Sequence, residues 1–535
     1  MNLKKIIFTL LAGTVLTVSC SRDDDPKPTP PPTPPTPPVA VTPDPINDFI
    51  WKAMNSWYYW QDKVPALADN AYKTPTDYAN FINGKTPDKL FYNHLLFEYG
   101  KTDEFSWIEN NNEIVRSTTG KNAEIEKLSG LEIALFPKGG GSSNYVALVT
   151  YVVKGSTAET AGIKRGDVIT KVNGAHLTGS NYSALFGDSF SVSRAETANV
   201  TYSTTSGYTV TTTDKEESIA ISKSSIEENP IAHYQVFEMG GKKIGYLVFN
   251  GFKIDYNDEL NEQFAKMQAD GVNELILDMR YNGGGSLSTA IGLAQMINGN
   301  IADQTSQTSP YIRLDFNSKH RDYNEVVRKT INYYTVTDGN PKVSQANVPI
   351  NSLTLPKVHI LISFQSASAT ELTVYSLSKF MNVETYGYLT VGKFVGSHTL
   401  YDSPNADPEE AWTDYDKRNK AHNWKMQPIT FAYYNRDNDP HPKVTFSDGS
   451  TAYGIVPPTA NRVHPYEWIG TIKEFGVTTD PELKLALEKI SGTKVSGKRA
   501  VSEFRDTRQK VIFKKTNAAD GLYIHDLSEM KRMSK

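Results

Sequence analysis

The 535-residue chain has 39% hydrophobic and 22% charged residues and a formal net charge of −4. This is ordinary for soluble globular protein but too long for one core of usual size, so two to four domains are expected. With that charge and no basic patch interleaved with aromatics, a nucleic-acid partner is a poor candidate, and the single cysteine, Cys20, leaves stability to packing instead of disulfides.

Lys4 and Lys5 precede an apolar run from Ile6 to Val18, shorter than a membrane span and of secretory-signal form. Residues 1–19 are therefore read as a signal peptide, whose removal takes the formal charge from −4 to −6. The run ends at Ser19-Cys20 and resembles a bacterial lipoprotein cleavage box, departing from it at Thr17, where leucine is usual; Leu16 sits one place early. Lipidation at Cys20 is the expectation, with residues 20–44 as a lipid-anchored linker. Its Pro26–Pro43 stretch is nearly all Pro, Thr, Lys and Val, which favours extended polyproline geometry and cannot build a core. The Ser21-Arg-Asp-Asp-Asp25 run resembles signals that send some Bacteroides-group lipoproteins to the cell surface. The implied location is the outer membrane, facing the periplasm or displayed outward.

Phe49, Ile50, Met54, Trp57, Tyr58 and Trp60 recur at helical spacing, and Tyr72–Tyr99 reads similarly. This predicts a small helical domain over 45–122, its aromatic stripe serving as core. From 128 to 212 the signals turn to β-structure. A strand over Tyr145–Val153 is followed by a short helix stopped at Gly162, a turn at Gly166-Asp167, and an Asn173-Gly174 hairpin turn. This stretch resembles a PDZ domain, with Gly130 and Leu131 in the place of its carboxylate-binding loop and Glu132 departing from the usual hydrophobic position. The resemblance implies capture of a peptide by strand addition, its terminal carboxylate held by backbone amides.

From 227 to 492, strands over Lys243–Phe249, Glu274–Asp278 and Lys357–Ser363 alternate with helices over Glu259–Ala269, Ser286–Ile297 and Glu371–Met381. Buried strands alternating with amphipathic helices predict an α/β layered body with its active edge at the strand ends. Two loops leave those strands. Asp278-Met-Arg-Tyr-Asn-Gly-Gly-Gly-Ser286 allows close backbone approach and offers amides to a developing oxyanion; within it Asp278 and Arg280 read as architectural. Ser366-Ala-Ser-Ala-Thr-Glu371 presents Ser368 among small residues at a helix start. The amide of Ala369 follows it directly, and Ser366 is a rival nucleophile. Lys393 lies 25 residues beyond Ser368. A serine hydroxyl needs a base, and a lysine can be that base when apolar surroundings keep it neutral.

Together these motifs resemble the S41 family of C-terminal processing, or tail-specific, serine proteases. The match covers about 45–492 and extends to Gly454-Ile-Val-Pro457 as a closing strand and Asp480–Leu487 as a terminal helix. The implied fold is multidomain α+β: an N-terminal helical domain, a PDZ-like β-rich module and an α/β layered, ClpP/crotonase-like catalytic domain. The implied nucleophile is Ser368, the general base Lys393, and the oxyanion donors the amides of Ala369 and Gly284. Many members carry a lysine-orienting glutamine four residues past the base, where this chain has Ser397. The adjacent His398 lacks an evident carboxylate partner for a Ser-His reading.

A Ser-Lys endopeptidase cutting flexible or C-terminal regions of envelope or extracellular polypeptides is the function so implied. No cofactor is called for, and no metal motif occurs. The alternatives are a catalytically impaired lipoprotein that binds peptides through its PDZ-like module, or an esterase or amidase using the same pair. Residues 402–442 read as an insertion, either a flap over substrate or a surface elaboration. Residues 493–535 read as a C-terminal extension, either a surface tail or a small appended element without assigned chemistry.

Overall fold

The computed structural model describes residues 41–110, 126–203, 205–320, 322–337, 340–446, 449–496 and 522–524. The signal peptide, Cys20 and most of the linker lie outside these residues. Among the described residues, no helix is long and apolar enough to cross a membrane.

Helix formation at Pro45–Trp57 starts with Asp44, whose carboxylate accepts from the amides of Ile46 and Asn47, with Pro45 in the first turn. Phe49, Ile50, Ala53, Met54 and Trp57 fall on its buried face. Thr74 and Asp77 form a reciprocal capping box at the start of Pro75–Ile82. This helical region does not close a core of its own. Its buried side chains join one cluster with Leu247, Phe249, Phe264 and Leu275 of the catalytic body. The Trp57 indole donates to the Ala411 carbonyl (2.8 Å), and the Asn317 amide donates to the carbonyls of Ser56 and Tyr58.

The PDZ-like sheet runs in the order Leu131–Pro137, Tyr145–Val152, Val168–Val172, Ser189–Ser203, Gly207–Asp214. Its own core gathers Ile133, Leu135, Val149, Ile169 and Val192. Asn173 and Gly174 both take positive φ (50° and 79°), as a tight turn matching the twist of its strands requires.

The catalytic sheet orders Ile231–Met239, Lys242–Phe249, Glu274–Asp278, Lys357–Ile362, Asn382–Gly387, antiparallel at the first pair and parallel thereafter. Strand alternation divides its side chains between two layers. Leu247, Leu277 and Ile360 enter the core shared with the helical region, while Tyr246, Ile276 and Leu361 meet Leu483, Leu487 and Ile490 of the helix Pro481–Ser491. A second sheet orders Tyr323–Glu325, Ile312–Phe316, Ile429–Asn435, Val395–His398, Leu522–Ile524.

Two expectations need correction, and a third is narrowed to one of its alternatives. Within 402–442, Ile429–Asn435 is the central strand of that second sheet and almost wholly buried; its alternating apolar run had been hidden among Asp and Asn residues. Gly454–Pro457 is not a strand. It is an extended segment pinned by Thr390, whose amide donates to the Ile455 carbonyl (3.0 Å) and whose hydroxyl accepts from the Ile455 amide (2.8 Å). Of the two readings of the extension beyond 493, the appended element fits, because Leu522–Ile524 completes the second sheet.

Asp278 and Arg280 have the architectural role their loop predicts. Arg280 is fully buried and pairs with Asp278 (2.6 Å), Asp480 (2.8 Å) and Glu482 (2.7 Å). Arg165, from the PDZ-like module, reaches Asp480 (2.8 Å) and donates to the Tyr281 hydroxyl (2.6 Å). Burial raises Asp480, but Arg280 and Arg165 outweigh it and hold the carboxyl below its usual range. Burial dominates at Glu482 and, despite Arg280, pushes it up to about 7. Arg280 and Arg165 thus keep Asp480 ionised, while Glu482 holds its proton to near neutrality. Because its folded value lies above the ordinary 4.5, the folded state binds that proton more tightly. Its contribution to stability therefore falls as pH rises from about 4.5 to about 7. The Glu482→Gln variant should lose this slope: the wild-type Tm is expected to decline relative to the variant across that window, and parallel Tm curves would contradict the assignment.

Candidate active site

Strand Lys357–Ile362 delivers the chain into a tight turn. Ser368 then sits at the N-cap of helix Ala369–Leu377 with φ 60° and ψ −111°, a conformation costly for a residue with a side chain and typical of strained functional positions. The Ala369 amide occupies the first helical position, where no intrahelical acceptor exists. Ser366, the rival nucleophile, is committed elsewhere: its hydroxyl donates to the Met279 carbonyl and accepts from the Ser363 amide (2.8 and 2.9 Å). It builds the turn that presents Ser368.

The glycine loop presses directly against this turn. A Cβ added at Gly284, where φ is +115°, would lie 2.9 Å from the Ser368 Cβ and 3.1 Å from the Ala369 nitrogen. No other residue type fits there without displacing the serine. Asn282 joins the loops, its carbonyl accepting from the Ala367 amide (3.1 Å) and the Thr370 hydroxyl (2.9 Å). Its side chain also accepts the Gly284 amide (2.9 Å), so in this structure that amide closes its own turn.

Glu371 holds the second convergence. Fully buried, it accepts from the Ser368 and Lys393 amides (2.8 Å each), the Gly392 amide (2.7 Å) and the Thr390 hydroxyl (2.5 Å). Burial raises this carboxyl above its usual range, and these four donors offset only part of that rise. One carboxylate therefore fixes the backbone on both sides of the proposed chemistry. Tyr433 adds a second tie, its hydroxyl proton shared between the carbonyls of Ser368 (3.0 Å) and Lys393 (3.1 Å). Burial, reinforced by the Glu371 charge, raises that phenol well above its ordinary value and keeps it a donor.

Lys393 is only 5% exposed. Its Nζ stands 4.7 Å over the Phe105 ring, supplied by the N-terminal region. Four residues on, the Ser397 hydroxyl accepts from the Gln427 side-chain amide (2.7 Å). His398 turns into an aromatic enclosure of Trp57, Phe316 and Phe431, with Nδ1 against the Thr430 hydroxyl (2.8 Å). Burial, with His320 adding to it, pushes this imidazole down to about 3. It is a packing residue.

In the PDZ-like module, Gly130 has φ +76° and a Cβ there would overlap the Ser156 side chain. The Leu131 amide donates to the Ser129 hydroxyl (3.3 Å), and Leu131 opens the outer strand of the sheet, the position from which strand addition operates. Among the described residues, no group of His, Cys, Asp or Glu could hold a metal ion.

Glu371, Tyr433, Phe105 and Gln427 were not singled out from the sequence. Glu371 alone carried a local signal, standing three residues after a serine at a helix start. The other three reach the site through tertiary contact.

Residues 243–407 match the model of peptidase family S41, 45–107 that of the peptidase S41 N-terminal domain, and 148–185 that of a PDZ domain. A "Probable CtpA-like serine protease" of Staphylococcus aureus (strain bovine RF122 / ET3-1) is 28% identical over 249 residues, 46% of this chain and 42% of that one. The same designation in Staphylococcus haemolyticus (strain JCSC1435) is 27% identical over 247 residues, 46% of this chain and 41% of that one. These matches span less than half the length of those relatives. The solved structure of an S41 protease from Bacteroides fragilis NCTC 9343 superposes with a TM-score of 0.56 at 22% identity, covering 83% of this chain and 97% of that one, a likeness of fold. By these matches the chain carries an S41 serine peptidase domain together with an S41 N-terminal domain and a PDZ domain, a multidomain α+β architecture.

Proposed function

We propose that this chain is a serine endopeptidase in which Lys393, in its neutral form, takes the Ser368 proton as the hydroxyl attacks a peptide carbonyl. The carbon–nitrogen bond then breaks, the lysinium returns the proton to the leaving amine, and water hydrolyses the acyl-enzyme. The observation that carries this reading is the Glu371 carboxylate, which binds the amides of Ser368 and Lys393 together. Near-complete burial favours the uncharged amine. The Ala369 amide is the first oxyanion donor, and the Gly284 amide joins it by exchanging Asn282 for the developing charge.

The substrates are flexible or C-terminal regions of envelope or extracellular polypeptides. Gly130 and Leu131 serve as the carboxylate grip of the PDZ-like module, and Ser397 as a residue that orients the lysine. Lipidation at Cys20 would tether the enzyme to the outer membrane by its proline-rich linker. The binding-only alternative predicts peptide capture without turnover.

Three substitutions test the chemistry. Ser368→Ala and Lys393→Ala are each expected to lower kcat by about 10³-fold or more while leaving the unfolding midpoint near wild type. Glu371→Gln turns one acceptor into a donor facing amides, and should lower kcat about 10–100-fold with little change in KM; full turnover in either dyad variant rules the assignment out. For substrate choice, peptides with a free C-terminus should be cut about tenfold more efficiently than amidated ones, a difference of ~1.4 kcal/mol. That preference should vanish in Gly130→Ala. For location, Cys20→Ala should move the protein from the membrane to the soluble fraction; persistence with the membrane would remove the lipid anchor from the account.

A further inference from the structure

Strand Val395–His398 begins two residues after Lys393. On one side it pairs antiparallel with Ile429–Asn435. Its other edge pairs in parallel with Leu522–Ile524, in the register Gly396 to Leu522, Ser397 to Tyr523 and His398 to Ile524. No other described strand covers that edge. The same three-residue segment lies against helix Leu287–Ile297, which is capped by Ser286 directly after the Gly283-Gly284-Gly285 run. A strand from the far end of the chain therefore occupies the corridor between the lysine strand and the helix leaving the glycine loop. The segment stands out in its own neighbourhood. Leu-Tyr-Ile is strand-prone and apolar, whereas Gly521 precedes it and His525-Asp526 follow. The 25 residues from 497 to 521 can span up to ~80 Å when extended, ample to reach the corridor from the end of helix Pro481–Ser491.

An unpaired strand edge is a template for any extended peptide, because its amides and carbonyls bind backbone regardless of sequence. We propose that the edge of Val395–His398 paired here with Leu522–Ile524 is the strand-addition site for peptides entering the Ser368–Lys393 centre, and that this segment of the same chain is its resident occupant, which a substrate must displace. This rests on the endopeptidase reading above and adds the binding mode and a competitor held within the chain. The ligand class is an extended polypeptide engaged through its main chain. Occupancy lowers apparent affinity by the fraction of molecules with the corridor free, so ~90% occupancy would raise KM about tenfold.

The test uses the full chain. In a parallel pair, alternate residues donate amides to the neighbouring strand, so Tyr523→Pro and the double variant Leu522→Pro/Ile524→Pro together remove every donor of the segment. At least one should lower KM for a quenched fluorescent peptide by several-fold to tenfold with kcat unchanged. A synthetic peptide of residues 518–528 should then inhibit that variant competitively. An unchanged KM in both, or a fall in kcat alone, overturns the proposal. If no version hydrolyses peptide, the endopeptidase reading fails by itself, and the corridor is judged by binding. A fluorescein-labelled 518–528 peptide should then bind Ser368→Ala/Leu522→Pro/Ile524→Pro more tightly than Ser368→Ala by anisotropy, and equal or absent binding to both refutes the site.

Discussion

The site depends on one buried carboxylate. Glu371 receives three backbone amides and a hydroxyl from two loops more than twenty residues apart in the chain. A carboxylate buried without partners is costly, so the folded state retains it only where donors surround it. Here those donors belong to the residues flanking the proposed chemistry. The interaction that makes burial tolerable is therefore also the one that ties the backbones of Ser368 and Lys393 to one group, and Tyr433 repeats the tie from the carbonyl side. Fixed geometry of this kind favours acyl transfer, since the reacting groups lose little further freedom on reaching the transition state.

Around that clasp, two sheets divide the work. The parallel sheet supplies the Ser368 turn and the glycine loop from adjacent strand ends, the edge where α/β architectures place ligands. The second sheet carries the lysine strand and braces it with Ile429–Asn435, from a stretch whose composition resembles a surface loop. The N-terminal region completes the hydrophobic core and places Phe105 over the lysine amine. The surroundings of Lys393 are thus assembled from parts remote in sequence.

Much of the fold was legible because hydrophobic period and turn chemistry agree locally. Glu274–Asp278 is a strand at the predicted limits, Lys242–Phe249 and Leu287–Ile297 begin within a residue of theirs, and Asn173-Gly174 turns as its residue types require. Legibility failed where structure depends on distant partners. Ile429–Asn435 is a strand because Ile312–Phe316 and Val395–His398 flank it, and neither neighbour is nearby in the chain. Ser366 and Ser368 are chemically equivalent in sequence, and the bonds of Ser366 to the Met279 carbonyl and the Ser363 amide come from residues the local motif does not reveal. The aromatic stripe of the first helix was read correctly as core, but the core it fills belongs to the catalytic body.

Arg165 has a bearing on how these modules could be exchanged. It arises in the PDZ-like module, yet its guanidinium lies against Asp480 and the Tyr281 hydroxyl, beside the base of the glycine loop. Excising the module would leave Asp480 with one cationic neighbour fewer in a medium that screens poorly. A chimera carrying a foreign PDZ domain would need an arginine at the equivalent turn, whatever peptide that domain prefers. Recombination between relatives should therefore succeed most readily when the exchanged segment and the Asp480 helix come from the same parent.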